Sequence, residues 1–184
     1  MATVAEKLMT ADEFLGWAEE REGRWELIDG RPIAMAPERV AHVVSKGEAW
    51  AALRRAVDHA GAPCQALPDG ATVRESARMA FEPDAVVYCR LRLPPAAIEI
   101  PNPVIVVEVL SEGTAARDHG VKLVGYFSLP SVAHYLILDP ERRTAVHHWP
   151  GRGDLIETRI LTAGPLRLDP PGLEITVDEL VGPA

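Results

Sequence analysis

A chain of 184 residues that is 47% hydrophobic is long enough to close one core and to hide roughly 70% of the surface its unfolded form exposes. Its formal charge of -8 argues against strong nonspecific attraction to a polyanion, because that binding runs on Lys and Arg displacing counterions. No stretch approaches the ~20 apolar residues of a membrane span, and the opening residues lack the apolar run of a secretory signal, so a cytoplasmic protein with no membrane partner is expected.

In chain order, Thr10 as N-cap, acids in the first turn and an apolar stripe of Phe14, Leu15 and Trp17 predict a short helix over Thr10 to Glu22. Trp25 to Ile28 and Arg31 to Met35 flank Asp29-Gly30, the dipeptide that most readily supplies a type I′ hairpin turn. Val40 to His59 has no breaker before Gly61 and Pro63 and predicts the first long helix. Extended runs follow at Cys64 to Leu67, Ala71 to Glu75 and Ala85 to Cys89, with Pro-Asp-Gly and Glu-Pro-Asp as punctuation. Cys64 and Cys89 have neither a metal-ligand spacing nor a disulfide framework around them, and reduced thiols are the plain expectation. After a Pro-rich loop, Val104 to Leu110 is apolar at nearly every position, as in a central strand covered on both faces. A second helix is predicted from about Ala115 to Phe127, with Val121, Val124, Gly125 and Ser128 as its small, apolar side. Strands are expected at Tyr135 to Leu138, Thr144 to Trp149 and Leu155 to Leu161, with Leu173 to Leu180 covering an edge. This order indicates an α+β fold, a single domain over 1–184 with a mixed central sheet and flanking helices. Its core spans about 10–161, and the segment 162–184 is expected to pack on an edge.

Glu108 is the exception inside the apolar run. Taking one ion out of water costs several kcal/mol unless a counter-charge offsets it, so Glu108 needs a cation or must point out of a half-exposed strand. Asp84 follows Glu82-Pro83 and opens its own strand, and the two acids can converge if the strands are neighbours. Like charges sharing a site repel, whereas a divalent cation makes the pair favourable, and Mg²⁺ commonly takes only one or two carboxylates. Lys122 lies on the following helix at steps of four from Asp118 and Tyr126. It is either a surface member of an i,i+4 pair with Asp118 or a cation placed to stabilise charge on a phosphate. Arg74, Arg78, Arg90 and Arg92 crowd one region of the sequence, as a solvated surface or as a DNA-facing patch.

Pro83-Asp84, Glu108-Val109-Leu110-Ser111, Thr114, Arg117-Asp118, Lys122 with Tyr126, and Tyr135 to Pro140 together resemble the Uma-type restriction endonuclease family of bacteria, within the PD-(D/E)XK nuclease superfamily. The resemblance extends upstream through Trp25 to Gly30 and His42. It implies a restriction-endonuclease-like core that hydrolyses DNA phosphodiester bonds, with Asp84 and Glu108 holding Mg²⁺, or Mn²⁺ as a substitute, and Lys122 beside the attacking water. By the same resemblance Glu26 assists the metal through a water, while His42, Tyr126 and Arg117 contact a phosphate or a water. Two positions depart from the pattern. Leu110 stands where the superfamily has its lysine, and Ser111-Glu112-Gly113-Thr114 stands where the family often has Ser-Pro-Ser-Thr. A catalytically silent nuclease fold that binds nucleic acid or protein is the alternative, and a metal-free glycoside hydrolase using Asp84 and Glu108 is a distant third. Cutting both strands of a duplex with one site per chain makes a homodimer the geometric expectation.

Overall fold

The protein is described by a computed structural model over residues 8–90, 92–110 and 118–182, less the side chains of Asp118 and His119. Thr10 caps helix α1 (Ala11–Glu19) by accepting from the Glu13 N–H at 3.2 Å, while the Glu13 carboxylate accepts from the Thr10 N–H at 2.9 Å. This capping box satisfies two donors that a helix start otherwise leaves orphaned. The hairpin is β1 (Trp25–Ile28) and β2 (Arg31–Ala34), and its turn residues Asp29 and Gly30 take φ of 51° and 76°, the two positive angles of a type I′ turn. A Cβ on Gly30 would stand 3.0 Å from both Leu8 and the Met9 carbonyl, so the glycine also lets the chain entering α1 lie against the turn. Helix α2 (Val40–Ala60) ends where Gly61 adopts a left-handed conformation.

The remaining elements are β3 (Cys64–Pro68), β4 (Val73–Ser76), β5 (Met79–Phe81), β6 (Ala85–Cys89), β7 (Pro103–Val109), α3 (Asp118–Ser128), β8 (His134–Asp139), β9 (Thr144–Pro150), β10 (Ile156–Leu161), β11 (Pro165–Leu168), β12 (Leu173–Thr176) and α4 (Val177–Val181). A 6-stranded sheet runs β10-β9-β8-β7-β6-β3, and a 4-stranded sheet runs β2-β1-β5-β4. In the larger sheet β7 and β8 pair in parallel and their neighbours pair antiparallel. The parallel pair needs a crossover, and α3 lies within it. The expected α+β fold with a mixed sheet is the one observed.

Strand alternation sorts the core into two layers. Ile105, Val107 and Val109 of β7 join Leu53 of α2 in one cluster, while Val106 joins Phe81, Tyr126 and Tyr135 in the other. Ile105, Val106 and Val107 are fully buried, each contributing roughly 1.5–3 kcal/mol. Together they offset the cost of carrying Glu108 into the same strand.

Four features differ from the sequence reading. The elements from β11 onward do more than cover an edge: β12 and α4 pack on α2, and Leu168, Leu173, Ile175 and Leu180 enter the main core. Strand β5 was not anticipated, being only three residues long. On α3 Val121, Val124 and Ser128 are exposed, whereas Lys122, Gly125 and Tyr126 face inward. A polar residue sits on the buried stripe, so hydropathy alone selects the wrong face. Finally, Cys64 and Cys89 are not free thiols. They are register partners across antiparallel β3 and β6 and form a disulfide, because strand pairing, not sequence spacing, brings them together.

Among the described residues no helix is long and apolar enough to cross a membrane.

Two outcomes are expected from this packing. Closing a loop of sequence separation 25 limits the unfolded chain, so reduction should lower unfolding free energy by about 3 kcal/mol in a urea titration; an unchanged midpoint with thiols that alkylate without reductant would remove the bond. The second concerns His134, whose Nε2–H donates to the Pro170 carbonyl at 3.0 Å and whose Nδ1 therefore accepts from His147 Nε2 at 2.9 Å. Burial lowers the pKa of both, and burial with neighbouring His134, His148 and Arg159 takes His147 down to about 4. Because the unfolded chain takes up these protons first, the stabilisation is present above about pH 6.5 and is lost as pH falls toward 4. His147→Gln should flatten that fall, and a parent protein equally stable at pH 7 and pH 5 would contradict it.

Candidate functional site

Pro83 has no N–H to continue a ladder, and the next residue, Asp84, donates its own N–H to the Val107 carbonyl of β7 at 3.0 Å. That contact fixes Asp84 against β7. One carboxylate oxygen accepts from the Val109 N–H at 2.7 Å, and the other meets Lys46 Nζ at 2.9 Å. Glu108, on the opposite face from Val107 and Val109, points toward α3. Both its oxygens accept from Lys122 Nζ at 3.0 Å, and Oε1 also accepts from the Tyr126 hydroxyl at 2.8 Å. Lys122 and Tyr126 are four residues apart, which places them on one helix face. Glu26 of β1 meets Lys122 at 2.8 Å and accepts from the Glu82 N–H at 3.0 Å.

A second cationic group lies behind Asp84. Lys46 of α2, 4% exposed, contacts Glu38 at 2.7 Å, Asp69 at 2.6 Å and Asp84 at 2.9 Å. Arg24 joins the same set through Glu38, Asp69 and Glu82. His42, one turn before Lys46, reaches the Val109 carbonyl through Nε2 at 2.9 Å. In front of these groups is a cleft of about 570 Å³ bordered by Glu26, Glu38, His42, Asp84, Glu108 and Lys122.

Negative charge is in excess here. Six carboxylates, Glu26, Glu38, Asp69, Glu82, Asp84 and Glu108, share ion pairs with Arg24, Lys46 and Lys122, and Arg39 also borders the cleft. Burial, then the Asp84 and Glu26 charges, push the Glu108 carboxyl up to about 7 against the pull of Lys122. Burial acts against the charge on Lys122, but Glu108 and Glu26 outweigh it and hold the ammonium above its ordinary range. Lys46 is raised in the same way, burial being overcome by Asp84, Asp69 and Glu38. Burial is the larger cause for Glu108, and surplus carboxylate adds to it while holding both lysines in their protonated form.

Of the residues singled out from sequence, Glu26, His42, Asp84, Glu108, Lys122 and Tyr126 are brought together. Arg117 lies outside the described residues, as do Ser111 to Thr114 and the Asp118 side chain. The arginines do not form a patch at the cleft: Arg74 pairs with Asp12 and Glu99, Arg90 and Arg92 border a separate hollow beside Cys64, and none of these or Arg78 lines the acidic cleft. Lys46, Glu38, Asp69 and Arg24 were missed. A signal existed, since His42 and Lys46 are four residues apart and so share a helix face, with Glu38 four residues earlier just ahead of the helix.

Among the described residues no three His, Cys, Asp or Glu side chains stand together as a ready metal cage. The donor set nevertheless suits Mg²⁺: oxygen ligands only, two carboxylates from adjacent strands, and an unbalanced negative charge. Holding the ion there requires Lys46 and Lys122 to give up contacts with Asp84 and Glu108.

The fold is shared with a nuclease-type protein of known structure. The crystal structure of a putative nuclease belonging to DUF820 from Anabaena variabilis is similar to this chain with a TM-score of 0.74 and 19% identity, covering 94% of this chain and 97% of that one. The chain belongs to the Uma2 family, described as "Putative restriction endonuclease", whose model matches residues 11–178. No curated protein matches the sequence.

The ion network makes Lys122 the group whose loss should cost most. Lys122→Met leaves Glu108 and Glu26 buried without a cation, and a loss of about 3–5 kcal/mol in urea unfolding is expected at neutral pH. Adding Glu108→Gln should recover a large part of it. A loss below about 1 kcal/mol would mean that Lys122 does not carry the counter-charge.

Proposed function

We propose that the protein is a Mg²⁺-dependent endonuclease that hydrolyses DNA phosphodiester bonds, with Asp84 and Glu108 holding the metal and Lys122 at the attacking water. The observation that supports this reading most is the convergence of Glu26 from β1, Asp84 from the turn before β6, Glu108 from β7 and Lys122 from α3 on one cleft with surplus negative charge. In the reaction a water oxygen loses a proton to solvent and bonds to phosphorus, the bond to the leaving sugar oxygen breaks and that oxygen takes up a proton from solvent, and negative charge builds on the phosphoryl oxygens between. Bound Mg²⁺ would supply Lewis acidity toward the phosphate and lower the pKa of a coordinated water.

The chain's own residues do the positioning. Asp84 is held on one oxygen by the Val109 N–H, so its direction is set by the backbone of the strand that carries Glu108. Tyr126 fixes Glu108 by donating to Oε1. Lys122 stands between Glu108 and Glu26, where a fixed ammonium can orient a water and offset charge developing on the phosphate. The superfamily lysine position is Leu110, and its N–H donates to the Leu138 carbonyl in the sheet. Lys122, reaching in from α3, is the substitute.

DNA is the proposed partner. The cleft's acidic character makes the metal a condition for phosphate approach, because the chain's net charge of -8 offers no steering. A second reading is favoured by one specific observation. Every oxygen of Asp84 and Glu108 already has a nitrogen partner, Lys46, Val109 or Lys122. A protein whose lysines never yield those places would be a silent nuclease fold that binds nucleic acid or protein.

Plasmid cleavage separates the two. With Mg²⁺ or Mn²⁺ the parent should nick or linearise DNA, EDTA should stop it, and Asp84→Ala, Glu108→Gln and Lys122→Ala should each lower the rate by about 10²-fold or more. Cleavage surviving Asp84→Ala would assign the activity elsewhere. Absence of cleavage, together with DNA binding that is unchanged by EDTA, would select the silent reading.

A further inference from the structure

β10 is the terminal strand of the 6-stranded sheet, paired with β9 on one side and, among the described residues, with no strand on the other. Residues 156–160 are exposed, Ile156 at 39% and Ile160 at 68%, and Leu155 just before the strand is 67% exposed. A free edge with apolar side chains is a template for another strand, and monomeric proteins commonly blunt it with proline, a bulge or lysines. β10 has none of these. It contains no proline or lysine, and its ladder with β9 runs without a register shift from Ile156 to Leu161.

The residues along that edge are complementary to themselves. Ile156-Glu157-Thr158-Arg159-Ile160 reads apolar, charged, Thr, charged, apolar in either direction, with the sign of the charge reversed about the centre. In an antiparallel pair, facing residues must turn their backbone groups the same way. A two-fold axis relating two copies of one strand therefore passes through a residue and not between two. With the axis at Thr158, Glu157 faces Arg159 of the partner subunit and Ile156 faces Ile160 of the partner subunit, each pair occurring twice. Moving the axis to either neighbour sets Glu157 or Arg159 against its own copy. Opposite charges and apolar pairs across strands stabilise a sheet and like charges destabilise it, so the charges select one register.

We propose that two copies of this chain join through β10, antiparallel about a two-fold axis at Thr158, so that their 6-stranded sheets become one continuous sheet. The contact is isologous, closes on itself and leaves no further edge at that end for a third copy. It does not depend on the nuclease reading, since no residue of the acidic cleft takes part.

Sedimentation equilibrium on the full chain tests it. The parent should form a particle of twice the 20.0 kDa chain mass. Glu157→Arg or Arg159→Glu alone should each weaken dimerisation by about tenfold or more, because each puts like charges opposite one another twice. An equimolar mixture of the two variants should dimerise again, and the double variant E157R/R159E should return to the parent's affinity. Circular dichroism matching the parent confirms that each variant is folded, and the double variant decides the matter if a single one is not. A monomeric parent, single variants that dimerise as tightly as the parent, or a folded double variant that stays monomeric would each overturn the proposal.

Discussion

The cleft depends on one constraint: Glu108 is held inside the central strand, where its charge can be tolerated only if hydrogen-bond donors meet it. Lys122 and Tyr126 supply them from a single face of α3. That requirement ties the helix to the strand. Gly125 lies on the same face, and a Cβ there would come within 2.7 Å of the Phe81 ring, so the helix packs close enough to bring Lys122 over Glu108 only because residue 125 has no side chain. The acid, the lysine, the tyrosine and the glycine form one device, spread over β7 and α3 with the apolar layer of Phe81 and Tyr135 around it.

The same logic repeats on the other side of β7. Asp84 is anchored by backbone contacts in both directions, giving an N–H to Val107 and taking one from Val109. Lys46 then joins it to Asp69 and Glu38, and Arg24 closes the set. Two buried lysines therefore serve two strand-borne acids, one from each side of the sheet. Buried pairs of this kind add little net stability over apolar packing, and breaking one is costly. The surplus of carboxylate that remains is what the proposed Mg²⁺ would neutralise.

Much of this was legible locally. The capping box at Thr10, the Asp29-Gly30 turn, the breaker-free run of α2 and the apolar run of β7 are written in adjacent residues, and each appears where those residues put it. Glu108 stood out because it breaks an apolar pattern, and Asp84 because a proline precedes it. Lys46 did not, since a lysine on a long helix looks like any solvated lysine until the fold buries it. The Cys64–Cys89 bond was invisible for a related reason: it follows from the register of two strands, which no spacing rule encodes. The face of α3 was misread because its buried stripe carries a lysine and a glycine where Val121 and Val124 are outside. Sequence patterns report the average environment of a residue type, and the site consists of exceptions to it.

The most direct test of the central claim is a crystal of the protein soaked in Mn²⁺ and measured for anomalous scattering. The account expects one strong peak in the cleft bonded to oxygens of Asp84 and Glu108, with Lys46 drawn away from Asp84 or Lys122 from Glu108. A map with no peak there, and with Lys46 still on Asp84 and Lys122 still on Glu108 at saturating Mn²⁺, would contradict it.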